Sequence, residues 1–243
     1  MRPDDAGAEH LLFTPEELEA MAEQGRRMDA DDAAFAGRAN RRFLSLCPDA
    51  HRRWPGVAWV NPPEMTRHDM FGLGAGFGAL RAAPEPPRFR TSSRRKAADL
   101  PGLCFYGGTD WLLASERCAE ALARLQPGGV DVLPVEVQLR DGTVLPAGRF
   151  AMVDVMLRVA AYDLAASGLE VEEDEYGRRY VPRGVRRVIL RDGAVAGLHL
   201  FRDEVSRIPI WASVDVRAAL RRAKVTSVLY SWPDRLDGIA FHN

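Results

Sequence analysis

Cysteine is scarce in this sequence, and the three present, Cys47, Cys104 and Cys118, are widely spaced and odd in number. A disulfide framework and the close cysteine pairing of a zinc site are both excluded, and buried free thiols are the expected state. Long apolar runs are missing as well, so no segment reads as a membrane span. The N-terminus, MRPDDAGAEHLLFTPEE, is acidic where a secretory signal is basic, and it has no adequate apolar core. The expected compartment is therefore the cytoplasm. Net charge is lacking too. With 33 basic and 34 acidic side chains the formal charge is -1, so nothing global draws the chain to nucleic acid or to an anionic membrane.

Catalytic patterns are equally sparse. The five histidines, His10, His51, His68, His199 and His242, show no ligand spacing, and Ser115 and Ser213 lie outside any GxSxG elbow. His199 has Asp203 and Glu204 close by in sequence, but a partly buried structural histidine is the commoner occupant of a strand. The residues thus supply no catalytic, cofactor or metal set, and the chain reads as a protein other than an enzyme. One stretch keeps an alternative open. Gly72, Gly74, Gly76 and Gly78 alternate as in a phosphate loop, which with His199 would suit a small-molecule or nucleotide-binding enzyme. The dinucleotide fingerprint, however, needs a strand before it and a helix after it, and here Pro84, Pro86 and Pro87 follow at once.

What is present is concentrated between Gly197 and Pro233. Leu198, Leu200 and Phe201, then Ile208, Ile210 and Trp211, read as two strands of a hairpin. Ser213 is a good N-cap for a helix from Val214, whose Val216, Ala219, Leu220 and Ala223 form one apolar stripe, and a last strand covers Val225 to Tyr230. A similar order occurs about a hundred residues earlier, from Trp111 to Val137. There Ser115 matches Ser213, Ala121 matches Ala219, Leu122 matches Leu220 and Arg124 matches Arg222. An Ala- and Arg-rich composition alone can produce such a match, so the repeat stands as one of two explanations. Asp141-Gly142 adds a hairpin turn between two valine-rich segments.

The N-terminal part reads differently. Thr14-Pro15-Glu16-Glu17 is a capping box that starts one helix, and a second is expected after Asp31-Asp32, with Phe35, Ala39, Phe43 and Leu46 at helical steps until Pro48. Val57 to Val60 offers a short strand, and the Pro- and Arg-rich stretch before Gly102 reads as a connector. The fold class expected is α+β, a mixed or antiparallel sheet with short helices, preceded by a mainly helical N-terminal region. The division expected is residues 1–99 against an α+β domain of residues 100–243. With 47% hydrophobic and 28% charged residues, such a chain can bury a sizeable core.

Two features point outward. The acidic run Glu170, Glu172, Glu173, Asp174 and Glu175 can mimic a phosphate backbone or plug a basic active site, although such a run is more often a solvated loop, and a hairpin with acid facing base would explain it without any partner. Trp232, beside Pro233, can anchor a partner if exposed. These six residues are the candidate partner-binding set.

The order Trp111-Leu112-Leu113-Ala114-Ser115, Val132-Leu133-Pro134-Val135, Met152 to Asp163, Val188-Ile189-Leu190, Leu200-Phe201-Arg202 and Ile210-Trp211-Ala212-Ser213 resembles the eleventh numbered immunity-protein family of bacterial polymorphic toxin systems. The resemblance covers about residues 100–232, and the acidic run departs from its pattern. It implies a non-catalytic protein that binds a cognate protein toxin, such as a secreted effector encoded by the adjacent gene, and protects the producing cell. It implies fold roles for Ser115, Ser213, Phe201 and Trp211, no cofactor, and no direct contact with nucleic acid or membrane. An interaction module with a partner other than a toxin is the remaining alternative.

Overall fold

The computed structural model describes residues 36–48, 57–62, 76–92, 100, 102–105, 111–174, 177–182, 188–206, 209–225 and 227–235, with isolated positions between 16 and 34. The chain opens with strands β1 (Phe43–Pro48) and β2 (Ala58–Trp59), the one-turn helix α1 (Gly78–Arg81) and β3 (Arg88–Arg90). Next come β4 (Leu103–Phe105), β5 (Leu112–Ser115), helix α2 (Glu116–Leu125), β6 (Val130–Gln138) and β7 (Val144–Val155). The last part holds β8 (Arg158–Val159), helix α3 (Leu164–Ser167), β9 (Leu169–Asp174), β10 (Gly177–Pro182), β11 (Leu200–Asp203), β12 (Ile210–Ser213), helix α4 (Val214–Arg222) and β13 (Val228–Ser231). Among the described residues these form a five-stranded sheet of order β13-β1-β12-β11-β8, a six-stranded sheet of order β2-β3-β6-β7-β5-β4, and the β9-β10 hairpin.

The expected fold class is therefore corrected. The described chain is mostly β-sheet, and its N-terminal part is not mainly helical. Positions 16, 19, 23, 26, 30, 33 and 34 are helical, but Phe43 to Pro48 form a strand and Arg88 to Arg90, inside the expected connector, form another. The helical spacing of Ala39, Phe43 and Leu46 was misleading because β1 lies between β12 and β13 with both faces covered, and Phe43, Leu44, Ser45 and Leu46 are all buried. A strand covered on both sides shows no two-residue alternation to distinguish it from a helix. The capping box at Thr14, and Phe35, lie outside the described residues.

The two large sheets face each other across the central core. Along β5, Leu112 and Ala114 point into that core while Leu113 points to the outer face; along β12, Ile210 and Ala212 point in while Trp211 points out. Helices α2 and α4 are too short to hold themselves in water. They are held by packing on each other and on the strands through Cys118, Ala119, Leu122, Val216 and Leu220, all buried. The outer face of the six-stranded sheet, which carries Phe89, is covered by Phe77 and Leu80, and that of the five-stranded sheet by Leu169, Tyr180, Val188 and Leu190.

The repeat seen in the sequence has a counterpart in strand register. Ser115 stands opposite Phe150 and Ser213 opposite Phe43; Leu112 stands opposite Val153 and Ile210 opposite Leu46. The backbone N–H of Ser115 donates to Gly102 O at 2.9 Å, and that of Ser213 donates to His199 O at 2.8 Å. The partial orders β6-β7-β5-β4 and β13-β1-β12-β11 are thus the same arrangement around the same kind of capped helix. They differ in where the inserted strand comes from. β7 follows β6 through the Asp141-Gly142 turn, whereas β1 arrives from the other end of the chain.

The two caps also differ. Ser213 Oγ accepts from Val216 N–H at 3.4 Å, while Ser115 occupies the same position without a side-chain cap bond and its Oγ is buried with no hydrogen-bond partner. Ser213→Ala should cost about 1 kcal/mol of unfolding free energy and Ser115→Ala close to none. Equal losses in urea denaturation would show that the caps are equivalent after all.

Burial pushes the Cys118 thiol up to about 12 from an ordinary 9.0, and burial together with Cys118 pushes Tyr230 up to about 12. Both groups hold their protons more tightly when folded, so their contribution to stability is complete below about pH 9 and is lost as pH rises toward 12. For Cys118 the slope approaches about 1.4 kcal/mol per pH unit. Urea midpoints should accordingly fall between pH 8 and 11, and Cys118→Ala should remove the earliest part of the fall while leaving the tyrosine part.

Candidate functional site

The residues with chemical potential fall into three places, and the first is a helix cap. His199 Nδ1 lies 3.0 Å from Ser213 Oγ and 3.7 Å from Asp215 Oδ2. A nucleophilic triad needs the serine on one ring nitrogen and the carboxylate on the other. Here both meet Nδ1, and Ser213 Oγ is already the cap of α4, so the histidine braces a helix start. Asp203, expected near His199, belongs elsewhere.

The second place is the glycine-rich segment, of which residues 72–75 lie outside the described residues. Phe77 N–H donates to Asp131 Oδ2 at 2.7 Å, and Arg81 clasps both oxygens of the same carboxylate. The Arg81 guanidinium, followed by the Phe77 N–H, holds the Asp131 carboxyl below the usual carboxylate range. Gly76 has φ +66°, and a Cβ there would sit 2.5 Å from Asp131 Oδ2. The Asp131 carboxylate thus takes the N–H that follows Gly76 and ties α1 to β6. Among the described residues no group of three or more His, Cys, Asp or Glu side chains is placed to hold a metal ion.

The third place holds the acidic run. Glu170, Glu172, Glu173 and Asp174 lie on β9, antiparallel to the basic β10, and Glu175 lies outside the described residues. In register, Arg179 stands opposite Glu172 and Arg178 opposite Glu173. Arg179 pairs with Glu172 at 3.3 Å, but Arg178 turns to Glu204 at 3.6 Å. Exposed Glu173 is left without an ion-pair partner among the described residues. These pairs are half exposed and contribute little to stability. Acid facing base across a hairpin is therefore only part of the account.

What holds the hairpin is underneath it. Tyr180, Val171 and Leu169 turn inward onto the aromatic layer of Tyr162, Phe201 and Trp211. The Tyr162 and Tyr180 ring centroids are 5.1 Å apart, and Trp211 Nε1 donates to Tyr162 Oη at 3.3 Å. Tyr180 Oη donates to Asp203 Oδ1 at 2.5 Å. The same carboxylate accepts from the backbone N–H groups of Ala161, Val205 and Ser206 at 3.0, 2.9 and 3.3 Å. Asp203 is buried at the end of β11, so one side chain fixes the hairpin, the turn after β11 and the segment after β8. Burial first, and the bond to Asp203 second, push the Tyr180 hydroxyl far above its ordinary range.

Trp232 is half-buried, not an open anchor. The Arg41 guanidinium lies 5.4 Å from its ring centroid and pairs with Asp234 at 2.6 Å, the latter side chain being fully buried. Asn40 Nδ2 donates to Val188 O at 2.8 Å and its Oδ1 accepts from Leu190 N–H at 2.7 Å. Ser167, just before the hairpin, holds Ile189 N–H at 2.9 Å from the other side. The 188–190 segment thus links the acidic hairpin to the Trp232 clasp without merging them. Asp203, Tyr180, Arg41 and Asp234 were not singled out from the sequence as a network; the short carboxylate pair Asp203-Glu204 after an apolar strand was the one available signal.

A family model described as the immunity protein family (Imm11) matches residues 35–241. No curated protein matches the chain.

Removing the Asp203 carboxylate would leave a buried tyrosine hydroxyl and three backbone N–H groups without their acceptor. Asp203→Ala should cost about 3 kcal/mol, and Tyr180→Phe about 1 kcal/mol. In limited proteolysis of Asp203→Ala the first cuts are expected within residues 169–182, ahead of global unfolding. Cuts distributed as in the unsubstituted protein would remove Asp203 from the role of anchor.

Proposed function

The chain belongs to the Imm11 immunity protein family, the match covering residues 35–241, and on that premise we propose that it neutralises a cognate bacterial toxin by binding it in the cytoplasm of the producing cell. The toxin is a protein effector encoded by the adjacent gene, and protection comes from occupying a surface of the toxin, not from repairing what the toxin does. The family match carries this reading. Its support within the chain is geometric: the His199-Ser213-Asp215 trio is arranged as a helix cap, and the Phe77 backbone already binds Asp131. No described helix is long and apolar enough to cross a membrane.

The contact we propose is the acidic run of the β9-β10 hairpin, Glu170, Glu172, Glu173, Asp174 and Glu175, with Trp232 at its margin. Three features favour it. Among the described residues Glu173 has no ion-pair partner, the hairpin is rigidly seated on Asp203, and a preorganised surface loses little conformational entropy on binding. A basic toxin surface would be steered toward it and then held by a contact of standard size.

Co-expression of the protein with the adjacent gene product, followed by a growth assay and a pull-down, tests the function. Rescue with a stable complex is expected; rescue without one would replace binding by enzymatic reversal, and no rescue would remove the toxin reading. For the surface, the double substitution Glu172→Ala and Glu173→Ala should weaken the complex at least about tenfold at low salt, mostly through slower association. Unchanged affinity and salt dependence would place the contact elsewhere on the molecule.

A further inference from the structure

The two halves of the repeat differ at one edge. In the first half, residues Val130 to Leu133 of β6 are covered: Arg81 Nη2 donates to Val132 O at 2.8 Å, and Asp131 takes the Phe77 N–H. In the second half, β13 occupies the equivalent place, since Val228 stands on Pro48 as Val130 stands on Val155. Its inner side pairs with β1, but its outer side meets no strand among the described residues. Where the covered edge presents the carboxylate of Asp131, the bare one presents Leu229, which is 51% exposed.

The ground beside this edge is positively charged. Arg217 of α4 lies 5.6 Å from the Tyr230 ring centroid, and its buried Nε has no hydrogen-bond partner. Arg221 lies one turn further along α4, and Arg117 reaches Lys224 O at 3.5 Å. None of these four cations is in an ion pair among the described residues. Helix electrostatics accounts for Arg221, at the negative end of α4, but Arg117 stands in the first turn of α2, where a cation is disfavoured. Lys224 has φ +57° at the helix C-terminus, a position that glycine fills with less strain. Helix stability therefore selects against two of the four.

We propose that β13 is a docking edge for an extended, acidic segment of a protein partner, which adds a strand alongside Val228 to Ser231, packs an apolar side chain on Leu229 and sets carboxylates against Arg117, Arg217, Arg221 and Lys224. Backbone hydrogen bonds along the strand would supply affinity and the cations register and selectivity. In its sheet the edge is three strands from β11 and Asp203, where the acidic hairpin is seated, so this surface is separate from the hairpin and adjoins the proposed toxin contact only at Trp232, which follows Ser231. It needs no toxin to be tested.

The probe is a fluorescein-labelled decapeptide of alternating glutamate and valine, read by fluorescence anisotropy against its lysine-valine counterpart and a single-stranded deoxythymidine oligonucleotide. Saturable binding of the acidic peptide is expected, at least about tenfold tighter than the lysine form, weakening with salt and losing about tenfold in Leu229→Asn or Arg221→Glu. Both positions are exposed, so folding is expected to persist, and hydrogen exchange should show new protection of the amides of residues 228–231 when peptide is added. Four outcomes overturn the proposal: no saturable binding, equal binding of the two peptides, tighter binding of the oligonucleotide, or full amide protection of 228–231 in the protein alone.

Discussion

The structure depends on one constraint: two short amphipathic helices that cannot stand alone are buried between two sheets, and each sheet is thereby committed on its inner face. The strands that hold the helices alternate, so every inward Leu112 or Ile210 brings an outward Leu113 or Trp211 that must also leave water. At about 25 cal/mol per Å² of apolar surface, leaving either outer face open would remove a large share of the stabilisation that the inner face provides. The segments covering these outer faces are therefore necessary parts of the fold, and they are also where the molecule meets its surroundings.

The two covers are anchored by the same device, a carboxylate collecting backbone N–H groups and a side-chain donor. Asp131 holds Phe77 and Arg81 over the six-stranded sheet; Asp203 holds Ala161, Val205, Ser206 and Tyr180 over the five-stranded one. Such clusters are stable because every donor is matched and costly when one member is lost. This directional bonding gives an acidic hairpin a fixed position on a sheet it joins by no strand pairing among the described residues. Charge on the outside and a satisfied carboxylate beneath are separate roles of neighbouring residues.

Local elements were readable in the sequence where a single pattern decided them. The Ser213 cap, the α4 stripe and the Asp141-Gly142 turn each depend on neighbours within a few residues, and each is found where its residues stand. The N-terminal part was misread because β1 is buried on both faces, so that Phe43 and Leu46 matched helical spacing by accident, and because Arg88 to Arg90 become a strand only by pairing with β6. The networks of Asp203 and Arg41 include bonds between residues 23 and 193 positions apart, a relation no local pattern can reveal. The candidate acids were visible as composition, but Arg178 turning from its register partner to Glu204 is a property of the folded chain alone. The match over residues 35–241 takes in β1, which the resemblance over residues 100–232 had left out.

That β1 comes from the opposite end of the chain has a consequence for how the protein is made. Leu44 and Leu46 leave the ribosome more than 160 residues before Ala212, Ile210 and Tyr230, their neighbours on either side. At about 5–20 residues per second, a nascent β1 waits on the order of ten seconds or more for the strands that will enclose it. The other half, from β4 to β7, has all its partners in local order and can close first around α2. Biogenesis therefore begins with a completed half-molecule carrying a tethered, sticky strand at its leading end, and the newborn chain is most exposed to aggregation and to chaperone capture during that interval.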